Sequence, residues 1–229
     1  MRRARKTLRT ISMAATLLLP ASVVTSAVGQ SDIAAGLKEA LSVGTTRVVG
    51  KIGRVDGFNA DPAIHIPLPG GFQTVKSAMD GLGMGSMVDD LELRLNRAAE
   101  SAVPLAKDVF IQAIGQMTLT DAEKIYAGPN DSATQYFKHT MTPLLTTRMT
   151  PIVEKSLADA GAIKAFDDVM QKYSAVPFMP NVKADLTSYG VQKTLDGMFY
   201  YVGKEEAAIR TNPGARTTDL LKRVFGVSS

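Results

Sequence analysis

Apolar residues recur every three or four positions along most of this chain, a period that commits it to helices packed by one face. Ile33, Leu37, Leu41, Gly44 and Val48 form one such stripe, ending near Gly50–Gly53. A second helix resumes near Phe72 with Val75, Met79 and Leu82 on one face. The knot Gly81-Leu82-Gly83-Met84-Gly85 stops it, and Ser86 can cap the next helix. That helix buries Met87, Leu91, Leu95, Ala98 and Ala102. Pro104 suits the first turn of a following helix, with Leu105, Val109, Phe110, Ala113, Ile114 and Met117 facing inward. Thr120-Asp121-Ala122-Glu123 reads as a capping box opening a short helix that stops at Gly128-Pro129. Asn130 or Asp131 begins another, with interruptions predicted at Pro143 and Pro151. Residues 151–160 and 162–173 read as two helices divided by Gly161. Asp185 caps a long segment through Leu186, Tyr189, Leu195, Phe199, Val202 and Ile209, closed by Asn212-Pro213-Gly214. A last helix follows Thr217 and ends at Gly226.

Two proline-rich loops interrupt this pattern. Residues 54–71 hold Pro62, Pro67, Pro69 and Gly70-Gly71, and residues 174–183 hold Pro177 and Pro180. Ala63–Leu68 is the best candidate strand, and its prolines confine it to an edge. The expected fold is therefore all-α, a compact multi-helix bundle of about eight or nine helices with two proline-rich loops.

The N-terminus has a different character. Arg2, Arg3, Arg5, Lys6 and Arg9 precede a short apolar run, Ile11–Val24, and then the small residues Thr25-Ser26-Ala27. This is the order of a secretory signal peptide over 1–27, cleaved near Ala27 or Gly29, with a single all-α domain over 28–229. The expected location is the periplasm. Of 26 Lys+Arg, five lie in the signal, leaving 21 against 22 Asp+Glu and a mature net charge of −1. Nothing in that balance supports nucleic-acid binding. No later apolar run approaches about 18 residues, so no transmembrane span is expected in the mature chain.

Several chemistries fail on residue count. With no Cys there is no disulfide, thiol nucleophile or cysteine zinc site, and stability must come from apolar burial. Only His65 and His139 are present, neither in a metal-binding pair. No GxSxG or SxxK occurs, and Gly44–Lys51 misses the phosphate-loop spacing by one residue, with Ile52 in place of the hydroxyl. No cofactor, metal ligand or catalytic residue is assigned.

What remains are polar constellations. Arg54 and Asp56 sit two apart in a glycine-bearing turn, where they can pair or where Arg54 can meet an anion. Asn96, Arg97 and Glu100 border a buried stripe, with Arg97 and Glu100 at pairing distance on one helix. Thr134-Gln135-Tyr136-Phe137 sits in a helix whose Tyr136 hydroxyl can serve a ligand, or whose aromatic pair is simply core. Arg210, Asn212, Arg216 and Asp219 surround a polar turn feeding a helix start, where two arginines can hold a phosphate or carboxylate. Phe199-Tyr200-Tyr201 puts rings around most of a helix, and nine methionines in the mature chain can line an adaptable apolar pocket.

The segments Leu37–Leu41, Gly53-Arg54 with Asp56-Gly57-Phe58, Ile66–Pro69, Asn96–Glu100, Ala133–Phe137, Leu195–Gly197 and Ala215–Lys222 occur in order. Together they resemble the bacterial family catalogued as domain of unknown function 4197, across nearly the whole mature chain. The resemblance implies export from a Gram-negative cell and a largely helical fold. It supplies no activity, substrate or site residue.

The leading functional expectation is a non-enzymatic binding module for a small amphiphilic or anionic ligand or an envelope protein partner. Arg54, Arg97, Arg210 or Arg216 would meet an anionic head. One alternative is a hydrolytic or acid–base enzyme using Asp56, Glu100 or Asp219 with an arginine. Another is a structural homo-oligomer built through the Phe199–Tyr201 helix; the sequence leaves the oligomeric state open.

Overall fold

The computed structural model describes residues 29–118, 120, 122–176 and 185–226. Eight α-helices account for most of them: α1 (Gln30–Ile52), α2 (Phe72–Gly81), α3 (Gly85–Gln116), α4 (Ala122–Ala127), α5 (Ser132–Asp159), α6 (Ala162–Ser174), α7 (Leu186–Thr211) and α8 (Asp219–Phe225). A 3-10 turn, Pro213–Ala215, precedes α8, and the described residues contain no strand. The signal-peptide segment 1–27, Asp121 of the capping box and residues 177–183 of the second loop lie outside the described residues.

The apolar period explains the packing order. Four long helices, α1, α3, α5 and α7, each rest on two neighbours in that cyclic order. Leu37, Leu41, Leu91, Leu95, Phe110, Leu145, Met149, Met198 and Val202 meet at the centre, each at most 1% exposed. Phe110, Phe137 and Phe199 form a ring cluster between α3, α5 and α7, with centroids 5.7–5.9 Å apart. Helices α2 and α6 pack on α3, while α4 and α8 pack on α1.

Three prolines expected to divide helices do not. Pro104 lies inside α3, and Pro143 and Pro151 lie inside α5. An interior proline costs about 3 kcal/mol. Burial on both sides of each proline offsets it, with Val103 and Ala106 flanking Pro104 and Leu145, Met149 and Val153 around the other two. Because α3 runs unbroken, its inner face is set by Leu95, Ala102 and Ala106, and Leu105 points outward, 58% exposed. Leu82, expected inside, is 52% exposed beyond the end of α2. Ser86 does not cap α3, which starts at Gly85 after Met84 with no side-chain cap. Asp185 does cap α7, accepting from Ser188 N at 2.9 Å, and Thr218 caps α8.

Loop 53–71 crosses the outside of α3 and seats Phe58, Ile64 and Ile66 in the core. Gly197 of α7 makes room for it: a Cβ there would lie 2.6 Å from Cε1 of the fully buried Phe58. Helical Gly→Ala normally gains about 0.5–1 kcal/mol. Overpacking against a ring that cannot move costs about 1–3 kcal/mol. The clash wins, so Gly197→Ala is expected to lower the urea midpoint. Gly50→Ala, in an exposed stretch of α1 with open space around it, is expected to raise it.

Candidate functional site

Helix α3 presents Glu92, Asn96 and Glu100 one turn apart along one face. All three hold the loop. The Asn96 amide donates to Ile66 O at 2.8 Å and accepts from Ile66 N at 2.9 Å, giving that residue the pairing a neighbouring strand would supply. Ile66 is thus paired without belonging to a sheet, and the candidate strand Ala63–Leu68 does not form, because residues 62–64 make a turn closed by Ile64 N and His65 N on Asp61 O. Glu100, 3% exposed, accepts from the backbone N–H groups of Phe58 and Asn59, each at 3.0 Å. Its second oxygen meets Arg97 at 2.7 Å, the pairing that the spacing predicts. Glu92 accepts from Leu68 N at 3.2 Å and contacts His65 Nε2 at 2.9 Å, while His65 Nδ1 faces Asn59 O.

Asp56 pairs with Arg97 at 2.8 Å and Asn59 at 3.0 Å, not with Arg54. Its backbone takes a left-handed φ of 66°, which turns the carboxylate toward α3. The Asn59 amide and the Arg97 guanidinium hold its carboxyl below the ordinary 3.8. Arg54 is exposed at the rim of an open depression with Lys51, Asp56 and Asp61, and makes no ion pair among the described residues.

The other expected site residues also make internal bonds. Thr134 donates its N–H and hydroxyl to Glu206 at 2.7 and 2.6 Å. The Tyr136 hydroxyl donates to Thr118 O at 2.6 Å. Arg210 pairs with Glu206 at 2.8 Å and donates to the last carbonyls of α4, Tyr126 O at 2.7 Å and Ile125 O at 3.2 Å. Asn212 accepts from Gly214 N within its turn. Arg216, 6% exposed, caps the C-terminus of α7 through Ile209 O and Arg210 O, each at 2.9 Å. The Asp219 side chain is 97% exposed and pairs with Lys222 at 3.3 Å. Convergence is thus limited to Asp56, Arg97, Glu100 and Asn96 at the loop, and Thr134 with Arg210 around Glu206. Glu206 escaped sequence analysis, although its i,i+4 spacing to Arg210 was a usable signal.

The Tyr201 hydroxyl donates to Asp61, beneath Lys51, whose ammonium lies 3.7 Å from the Tyr201 ring centroid. The bond lowers the Asp61 pKa and, with burial, pushes the Tyr201 hydroxyl up to about 12. A folded tyrosine that keeps its proton above the ordinary 10.0 contributes stability below pH 10, lost as pH rises toward 12. The lowered Asp56 and Asp61 contribute stability above pH 3.8, lost on further acidification. Unfolding midpoints should therefore form a plateau that falls at both ends. Tyr201→Phe should flatten the alkaline fall, and an unchanged alkaline limb would contradict the assignment.

A surface concavity lies between α5 and α7. A cavity of about 620 Å³ is walled by Ala63–His65 of the loop, Thr134 and Gln135 of α5, and Gly203 and Ala207 of α7. Lys138, Lys193 and Lys204 face Asp131 and Asp196 around it. Lys193 and Lys204 have no carboxylate partner among the described residues; their ammonium groups sit 5.6 and 4.9 Å from the Tyr189 and Tyr200 ring centroids. A second cavity of about 310 Å³ runs between Thr142, Thr146 and Thr150 on α5 and Val191, Leu195 and Phe199 on α7. Thr142 and Thr150 donate their hydroxyls to carbonyls of their own helix, which leaves that wall largely apolar. Both cavities share Lys138, Asp196 and Phe199. Sequence analysis missed Lys138, Lys193 and Lys204 because the groove is assembled from two helices distant in the chain. Among the described residues no cluster of His, Asp or Glu is arranged to hold a metal ion.

Fold and groove together define a compact all-α bundle with one face opened between two long helices. The family described as "Protein of unknown function (DUF4197)" matches residues 27–226, and the chain belongs to it. No curated protein and no solved structure matches the chain. No helix among the described residues is long and apolar enough to cross a membrane.

Proposed function

We propose that this protein is an exported, non-enzymatic binding module that holds an amphiphilic molecule with an anionic head in the α5–α7 groove. Residues 1–27 act as the signal peptide, and the domain over 28–229 works in the periplasm. The observation that carries the reading is the junction of two unlike cavities at Phe199, one ringed by Lys138, Lys193 and Lys204, the other by Val191, Leu195 and threonine side chains. Volumes of about 620 and 310 Å³ suit small ligands. Most of the arginines first expected to meet the head are spent on internal carboxylates or helix ends, and the lysines replace them as its partners.

The enzyme alternative draws less support. Glu100 has both oxygens filled by two N–H groups and Arg97, which leaves it no room for proton transfer. The oligomer reading is reduced to one ring, because Phe199 and Tyr201 are 4% and 9% exposed and only Tyr200 is open. Native mass spectrometry and lipid extraction of protein purified from the periplasm test the proposal. A copurifying anionic amphiphile is the expected result. Repeated absence of one, together with no calorimetric binding of decanoate, would refute it.

A further inference from the structure

Lys138 and Asp196 meet at 3.0 Å across the groove, α5 to α7, with side chains 45% and 43% exposed. With Phe199 they are the residues common to both cavities, so the pair stands where the cationic and apolar chambers adjoin. The Lys138 ammonium is also 5.7 Å from the Phe199 ring centroid, at the junction floor. An amphiphile with its tail between Thr146 and Leu195 and its head toward Lys193 must pass this point.

We infer that Asp196 is a specificity-determining residue that occupies Lys138 as an internal counterpart of the ligand's anionic head and is displaced when that head binds. The inference rests on the amphiphile reading of the groove. An exposed ion pair of this kind holds its partners by no more than about fivefold in equilibrium constant, so a carboxylate or phosphate head can exchange with it. A neutral head cannot take over the Lys138 charge and leaves the pair intact. The other acid at the cavity, Asp131, is engaged by Gln135 at 2.9 Å and lies a helical turn and more from Lys138, so it does not compete for the same ammonium. Lys193 and Lys204, without carboxylate partners among the described residues, receive the rest of the head's charge. Asp196 therefore lowers affinity for the anion it resembles and leaves that for a neutral amphiphile as it is, so it sets the ratio between the two.

Calorimetric titration of the full protein with decanoate and with decanol separates the possibilities. Asp196→Asn is expected to bind decanoate up to about fivefold tighter, with decanol unchanged. Lys138→Met is expected to bind decanoate weaker by a similar factor, also with decanol unchanged. Both positions are half exposed, and circular dichroism confirms that the variants fold; Asp196→Ser supplies a second neutralisation. Unchanged or weaker decanoate binding by both Asp196 variants overturns the inference while leaving the groove as a binding site. Failure of the unaltered protein to bind either ligand overturns the groove reading, and the inference with it.

Discussion

Glu206→Ala should destabilise the protein by about 3–5 kcal/mol, the loss expected when one partner of a buried pair is removed. Glu206 is fully buried and accepts four bonds: Ala133 N at 3.0 Å, Thr134 N at 2.7 Å, Thr134 Oγ1 at 2.6 Å and Arg210 Nε at 2.8 Å. It caps the N-terminus of α5 from α7, where the helix dipole favours a negative charge. Without it, two N–H groups lose their acceptor and a guanidinium only 6% exposed loses its counter-charge. Urea denaturation followed by circular dichroism reads the loss. A decrease below about 1 kcal/mol would show that solvent replaces the carboxylate. Glu206→Gln keeps an acceptor without the charge and should fall between. Pairing Glu206→Ala with Arg210→Met should recover part of the loss, because it removes the stranded charge.

Glu100→Ala should cost about 2–4 kcal/mol, since it leaves one buried and one part-buried N–H group unpaired and breaks a charge-assisted bond. The effect should be regional. Amide exchange at Phe58 and Asn59 should accelerate, because Glu100 is their acceptor, while Ile66 stays protected by Asn96. Uniform acceleration along residues 54–71 would instead show that the whole loop opens as a unit. Because Ala63–His65 wall the larger cavity, the same substitution should weaken ligand binding without touching a groove residue.

These networks show which contacts can be read along a chain. The Arg97–Glu100 pair is legible because three residues make less than one helical turn, whatever surrounds them. Arg54 and Asp56 misled for the opposite reason. Their closeness in sequence suggested a pair, but the left-handed turn at Asp56 sends its carboxylate to α3 and leaves Arg54 in solvent. Asn96 and Glu100 were recognisable as polar groups beside a core, whereas Thr134 read only as part of a motif on a helix and Arg216 as part of a polar turn. Which backbone groups they satisfy depended on where loop 53–71, α5 and α7 come to rest.

Helix-forming periodicity and the absence of cysteine fixed an all-α bundle held by apolar burial, because both are properties of local spacing and side-chain chemistry. Only the tertiary structure decided that α3 and α5 run through their prolines, since burial contributed by other helices outweighs the lost bond. It alone brought Lys138 to Asp196, 58 residues away, and so made the groove, because side chains meeting across two helices leave no pattern along either one.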